Sequence, residues 1–345
     1  MGARAKKTKK IGITLGDPAG IGPEILAKLL EEGDLDCAPV VIGDARVLAQ
    51  AQAIIGASRT IDVVDGERLA GELSAGQTYL FDLNTIGCED FSLGEVSAAA
   101  GRAAGEFIEK AIDLALAGSL DAVVTNPIHK EAFLLGGWGE KYPGHTEMFT
   151  DLCGAKNTCM MLACGPLRVC HVSTHVGLRE ALDKEIKHQR ILDVIVLAAQ
   201  ACQRLGIAAP RIGVAGVNPH AGVDAMFGDE EQKEIAPAIA EACAAGIAAE
   251  GPIAADTLFC KAKGGMYDAV VAMYHDQGHI PVKLAGFIYD HATESWNMQG
   301  VNVTLGLPII RTSVDHGTAF DKAGKGTADH RSLKEALTYA ITLCG

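Results

Sequence analysis

Residues 268–279 read DAVVAMYHDQGH, an apolar β-type run that ends abruptly in histidine, aspartate and glutamine. The same change of character occurs three more times. Residues 121–125 (DAVVT) lead into TNPIHK, 167–173 into STHVGLR, and 211–217 (RIGVAGV) into NPHAG. Short apolar runs bounded by turn residues predict buried strands. In open α/β sheets, ligands bind in the crevice beyond the carboxyl ends of the strands. One histidine there is usually a satisfied polar residue; four, with Asn, Asp, Lys and Arg beside them, mark a site.

Working outward, further strands are predicted at 11–15, 39–43, 158–163 and 301–305, and helices at 22–31, 95–117, 186–205 and 229–246. Strands that alternate with amphipathic helices predict an α/β protein with mostly parallel sheets and helices on both faces. A chain of 345 residues exceeds one ordinary core, so two domains are expected. No repeat or low-complexity tether separates them, and ordered chain must cross the boundary.

Composition narrows the function classes. Forty-three acidic against 30 basic residues give a formal charge of −13, with no basic stripe to follow nucleic acid or an anionic membrane. Apolar runs are too short to span a bilayer. The opening MGARAKKTKK lacks the apolar stretch of a secretory signal, and Lys6 stands where a myristoylation motif has a hydroxyl, so 1–10 reads as a disordered leader. A cytoplasmic protein acting on small molecules is expected. The 10 cysteines form no C-x-x-C and are expected to be free thiols.

Segment 11–25, IGITLGDPAGIGPEI, sets Gly16, Gly20 and Gly22 between a strand and a helix that Pro23 opens. It is either a backbone loop that a ligand approaches closely or an ordinary βα turn; the G-x-G-x-x-G fingerprint is absent. His171 and His175 are four apart, as are His275 and His279. Gly278 and Pro281 argue against a helical pair in the second case, and a β-type run argues against it in the first. Single histidines from separate strand ends are expected instead: His175, His220 and His275. Three neutral imidazoles suit Zn²⁺ or a similar divalent ion. The residues alone leave a second reading open, in which these histidines cap turns or bind phosphate. KYPGHTE at 141–147, with Lys283, Asn302 and Arg311, has the donors of a phosphate or carboxylate pocket. Residues 315–329, DHGTAFDKAGKGTAD, fit a nucleotide-binding loop or any long surface loop.

Together the stretches ITLGDPAGIGPEI, TNPIHKEAF, YPGHTE, HVSTHVGLRE, GVNPHAG, GPIAADTLF, YHDQGHIPVK and GVNVTLGLPIIRTSVDHGTAFDKAGKG resemble the 4-hydroxythreonine-4-phosphate dehydrogenase family. They run in order from residue 11 to about 326, nearly the whole chain. The family is similar to the isocitrate and isopropylmalate dehydrogenases, which implies a two-domain α/β fold with a cleft between domains. The implied first domain is 11–130 plus 300–345, on the cofactor side; the second is 131–299, with the metal ligands and a dimer interface.

The resemblance further implies NAD, with NADP as alternative, at Gly16, Asp17, Gly20, His316, Gly317, Thr318 and Asp321. It implies one divalent ion per site (Zn, Mg or Co) on His175, His220 and His275, shared across the interface of a homodimer. His145, Thr146, Lys283, Asn302 and Arg311 match substrate-binding positions; as catalytic candidates, Asp256 and Asp276 match acidic residues near the metal and Lys130 a loop lysine facing the cleft. The implied activity, in pyridoxine biosynthesis, is oxidation and decarboxylation of a 4-phosphorylated four-carbon 3-hydroxy acid. Alternatives are a D-threonate or D-erythronate 4-phosphate dehydrogenase that yields dihydroxyacetone phosphate, a dihydrodiol dehydrogenase, and a non-catalytic sugar-phosphate binding protein. Two features depart from the biosynthetic enzymes: Val223 after NPHAG, and a long insertion, 285–300, carrying His291 and Trp296. VSTHVGLRE, GVNPHAG and MFGDEE are closer to the D-threonate branch.

Overall fold

The computed structural model describes residues 8–291 and 295–345. In chain order its strands are β1 Lys10–Thr14, β2 Ala38–Gly43, β3 Ile61–Val63, β4 Thr78–Asp82, β5 Ala122–Thr125, β6 Cys159–Cys164, β7 Leu167–His171, β8 Arg211–Ala215, β9 Ala248–Ile253, β10 Ala269–Ala272, β11 Phe287–Asp290, β12 Ser295–Met298, β13 Val301–Leu305 and β14 Arg311–Val314. They fall into two compact units, one of residues 1–156 with 307–344, the other of 157–306.

In the first unit six strands lie in the order β3-β4-β2-β1-β5-β14, every pair parallel. β1, β2 and β5 are buried at every position, as expected where helices cover both faces of a parallel sheet. Helix Gly22–Glu32 starts with Pro23 in its first turn and stops at Gly33, whose φ of 77° favours a residue without Cβ. Lys10, expected at the end of a disordered leader, instead opens β1 and is buried, its Nζ donating to Leu69 O at 2.7 Å. Residues 1–7 of that leader lie outside the described residues.

Residues 131–156, assigned from the sequence to the second domain, gather in the first unit. The reason is close packing. A Cβ on Gly101 of helix Ala98–Leu116 would meet Ala132 O at 1.8 Å, and one on Gly105 would meet Trp138 Nε1 at 2.0 Å. These two glycines bring 132–138 hard against the long helix. Phe133, Met148 and Phe149 are then buried in one cluster with Ile108 and Ile112.

The second unit contains a mixed sheet in the order β13-β6-β7-β10-β8-β9. β13 and β7 run antiparallel to β6, and β7, β10, β8 and β9 are mutually parallel. Its core centres on Leu162, Val169, Leu258, Val270 and Val282. Within the insertion at 285–300, β11 pairs antiparallel with β12. His291 packs edge-on against Tyr289 at 4.9 Å, while the side chain of Trp296 lies outside the described residues. The 10 cysteines are all free. Among the described residues no helix is long and apolar enough to cross a membrane.

Candidate functional site

The strand order of the second unit brings the histidines together. β7, β10 and β8 are neighbours and parallel, so His175, His275 and His220 leave the carboxyl ends of three adjacent strands. His175 and His220 are exposed and His275 is half-buried. The His175 and His275 rings lie 6.2 Å apart, tilted by 45°. Asp276 Oδ1 takes the Nδ1 proton of His275 at 2.7 Å, which leaves Nε2 as the ring's lone-pair nitrogen. A carboxylate behind an imidazole is the support that metal-binding histidines generally have. The donor set therefore fits a divalent ion, although no group of three His, Cys, Asp or Glu in one chain comes close enough to hold one among the described residues.

Gly278 and Pro281 do not interrupt the stretch that carries His275 and His279. Helix His275–Gly286 runs through both residues. Gly278 is needed there because a Cβ would sit 2.3 Å from His171 Nε2. His279 consequently stacks on His275, ring centroids 3.6 Å apart and nearly parallel, and contacts His171 at 4.7 Å on its other side. Face-to-face rings send their in-plane lone pairs past one another, so His275 and His279 share a helix face without chelating one ion. His171 is fully buried, and burial pushes its pKa down to about 3, with His279 adding to the shift.

Two residues that the sequence reading missed hold this edge in place. Gln277 Oε1 accepts from Met273 N at 2.7 Å, and its Nε2 donates to Gly216 O at 2.8 Å. The turn of His275 is thereby tied to the turn of His220. Glu231, 3% exposed, accepts from Val217 N and Asn218 N, both at 2.7 Å. His220 and Ala221 are left-handed, at φ of 54° and 56°, a conformation that costs a side-chain-bearing residue about 1–2 kcal/mol. A Gln two residues past a histidine and a Glu in an acidic run carry no sequence signal that separates them from surface residues.

Other expected residues of this unit take simpler positions. Asp256 is exposed in the first turn of helix Ala255–Lys263, accepting from Thr257 Oγ1 at 3.3 Å. Lys283 sits in the last turn of the His275 helix, its Nζ 4.5 Å from the Phe287 ring. Asn302 is on β13, and its Oδ1 is enclosed without a hydrogen-bond partner among the described residues.

The first unit carries a separate, buried constellation. Arg311, the first residue of β14, is 2% exposed, donates Nη2 to Thr125 Oγ1 at 2.8 Å, and lies 5.4 Å over the Phe149 ring. Burial brings its pKa down to about 10, while Glu147 opposes that fall. His145 and Thr146 open helix His145–Leu152. Burial, then the Arg311 charge, hold the His145 pKa well below its usual value despite a hydrogen bond to the Asn126 backbone. His145 Nε2 is enclosed with no partner among the described residues. A guanidinium, an imidazole and a helix amino terminus are the kinds of donor that suit an anion.

The glycine loop behaves differently from a ligand cradle. Gly16 (φ 74°) would drive a Cβ to 2.5 Å from Pro127 O, and Gly20 to 3.0 Å from Thr318. The chain's own backbone fills those spaces, with Asp17 N donating to Pro127 O and Ile21 N to Thr318 O. Asp17 is buried, burial raises its pKa, and its Oδ1 caps Ala19 N at 2.9 Å. By contrast Gly317 has open space around it, and His316 and Asp321 are at least partly exposed. Buried Glu24 accepts from Gly324 N and Gly326 N, and Lys28 donates to Gly326 O and Ala328 O, so the 315–329 loop is pinned to helix Gly22–Glu32. Beside Lys325 and Gly326 opens a cleft of about 510 Å³ floored by Ile54 and Ile55. Lys130 is exposed at the start of helix Lys130–Leu135, which His129 caps.

An α/β scaffold with polar groups gathered beyond the strand ends is shared with enzymes of known class. The family model for the pyridoxal phosphate biosynthetic protein PdxA matches residues 35–340. A Cupriavidus necator protein described as D-threonate 4-phosphate dehydrogenase is 48% identical over 96% of this chain and 96% of its own. A Salmonella typhimurium protein of the same description is 45% identical over 98% and 99%. A Klebsiella pneumoniae crystal structure described as 4-hydroxythreonine-4-phosphate dehydrogenase superposes with a TM-score of 0.84, at 43% identity and 98% coverage of both chains. The protein is thus an α/β oxidoreductase, a dehydrogenase. It belongs to the PdxA family.

Proposed function

We propose that the protein is an NAD- and divalent-metal-dependent dehydrogenase of a 4-phosphorylated four-carbon 3-hydroxy acid, with D-threonate 4-phosphate as the favoured substrate. The observation that carries the phosphate is the enclosed group of Arg311, His145 and Thr146. A guanidinium offers a phosphate paired, charge-assisted hydrogen bonds, and the amino terminus of helix His145–Leu152 adds backbone N–H donors beside it. The sugar-acid reading is favoured by the names of the C. necator and S. typhimurium relatives. The amino-acid reading, 4-hydroxythreonine 4-phosphate, draws on the name of the K. pneumoniae structure.

In this reading Arg311, with His145 and Thr146, grips the phosphate end, and Lys283 and Asn302 contribute further polar contacts to the substrate. Fixing one end of a short substrate sets the register of C3. His175, His220 and His275 would hold the divalent ion, which supplies Lewis acidity to the C3 oxygen, while NAD accepts the hydride. Asp276 orients His275 through Nδ1, which engages the carboxylate and leaves proton removal to Asp256, Lys130 or water. NAD is assigned to the open side of the 315–321 loop, at His316, Gly317, Thr318 and Asp321. Gly20 serves it by leaving room for Thr318, and Gly16 and Asp17 by holding their own turn against Pro127. NADP, and the choice among Zn, Mg and Co, are decided by direct comparison of cofactors and metals.

A homodimer completes the metal site in this proposal. Apolar side chains flank each histidine: Val176 and Leu178 follow His175, Met226 (72% exposed) and Phe227 follow His220, and Ile280 and Leu284 (81% exposed) share the His275 helix. Such residues cluster on surfaces that meet another protein. The deciding experiment compares NAD reduction with D-threonate, D-erythronate and 4-hydroxythreonine 4-phosphates, with and without chelator. Strong chelator-sensitive turnover of D-threonate 4-phosphate is expected. Turnover of unphosphorylated diols alone would overturn the reading, and no NADH with any of these acids would point to a binding protein.

A further inference from the structure

The turn that carries His220 is built around a carboxylate to which the reaction as proposed gives no role. From 220 to 225 the backbone stays left-handed: His220 (φ 54°), Ala221 (56°), Gly222 (83°), Val223 (43°), Asp224 (52°) and Ala225 (67°). Only one of these six is glycine. Side-chain-bearing residues hold such a conformation where their surroundings over-determine it. Here backbone bonds close the turn, from Met226 N to Val223 O and from Phe227 N to Gly222 O, and Glu231 fixes the residues that lead into it. Its Oε1 accepts from Val217 N and Asn218 N, and its Oε2 accepts from Asn218 Nδ2 at 2.9 Å. A Cβ on Gly222 would lie 2.8 Å from Oε2, and one on Gly216 would lie 3.1 Å from Oε1. The turn is wrapped onto the carboxylate from both sides.

Glu231 touches neither a proposed ligand nitrogen nor a substrate position. Its bonds go to the two residues immediately before Pro219 and His220, so they set the direction in which the chain enters the left-handed run. Asn218, which also donates to Glu230 Oε2 at 2.7 Å, anchors the same point through its side chain. We infer that Glu231 is a positioning residue: by clamping Val217 and Asn218 it aims the His220 imidazole and so sets the affinity of the chain for a divalent ion. The inference rests on the metal reading given above.

The test titrates Co²⁺ into the full-length chain, reading its visible absorption and equilibrium dialysis at one protein concentration. Glu231→Ala should weaken Co²⁺ binding by about 10–100-fold, the usual cost of losing a supporting contact behind a ligand. Its oligomeric state should stay unchanged. Glu231→Gln keeps the two backbone bonds but turns an NH₂ toward Asn218 Nδ2, and should lose roughly threefold. Adding Ala221→Gly to Glu231→Ala makes the left-handed turn easier without the carboxylate and should recover part of the loss. A purely structural role would lower the melting temperature of both variants and leave the Co²⁺ affinity of the folded protein at the wild-type value, which overturns the inference. If the alanine variant does not fold, Glu231→Gln carries the test alone, and wild-type affinity overturns it. His220→Ala separates the two levels. Lost Co²⁺ binding there with unchanged binding in the Glu231 variants refutes only the positioning role, whereas unchanged binding in His220→Ala refutes the metal reading itself.

Discussion

Arg311 and His145 in the first unit are enclosed, with Phe149 and Thr125 packed against the guanidinium, whereas His175 and His220 in the second stand exposed among apolar side chains. The buried group is finished by the fold of one chain: burial and the Arg311 charge hold the His145 pKa down, and burial lowers that of Arg311. The histidine edge is organised from behind, by Asp276, Gln277 and Glu231, and left open in front. In the proposed reading, a group enclosed within one chain is ready for an anion as soon as that chain folds. An open edge lined with apolar residues acquires its full donor set only when another surface covers it, which is the role proposed for the second copy.

The largest effect should come from the open edge. His275→Ala is expected to lower NAD reduction by roughly 10³-fold or more and to abolish stoichiometric metal, checked by metal analysis of the dialysed protein. Normal activity and metal content in that variant would remove the histidine triad from the site. Next, Phe227→Asp should shift the protein from dimer to monomer in sedimentation and cost about 10²-fold in activity. A dimer that persists unchanged breaks the contrast between a finished and an unfinished site.

Arg311→Met sharpens the other side. We expect kcat/KM for the phosphorylated substrate to fall by roughly 10²-fold while KM for NAD stays within about twofold. Equal losses for substrate and NAD would take Arg311 out of the phosphate pocket.

The smallest effect is a pH dependence of stability. His145 and His171 have folded pKa values below the unfolded value of about 6.5. Protonation therefore favours the unfolded chain, so stability present above pH ~6.5 is lost as pH falls through that value toward the folded pKa, about 3 for His171. His145→Gln should flatten the melting-temperature profile across that window, measured against wild type. A parallel profile would mean that His145 is solvated rather than enclosed.

Much of this was legible before any coordinates. Strands β1, β2, β5 and β10 are short apolar runs whose burial on both faces leaves little other reading, and their polar continuations mark one edge. What misled the eye was local punctuation. Gly278 and Pro281 look like helix breakers, yet the helix persists because Gly278 is the residue that lets His171 fit beneath it. Gly16 and Gly20 leave two readings open in the sequence, a ligand cradle or an ordinary βα turn, and their missing side chains make room for Pro127 and Thr318 of the same chain. Sequence spacing cannot say which atoms will occupy the space that a glycine vacates.

By itself, then, the sequence determined the α/β class, the strand positions and the residue types offered at each strand end, because periodicity and turn chemistry act over a few residues. Only the tertiary structure decided that β7, β10 and β8 lie side by side although some 100 residues separate β7 from β10. That order places His175, His275 and His220 on one edge. It also decided that Glu231 and Gln277, plain polar residues in the sequence, are the ones that hold it. Both outcomes depend on crossover connections and on burial, which are properties of the packed chain and leave no local periodicity to read.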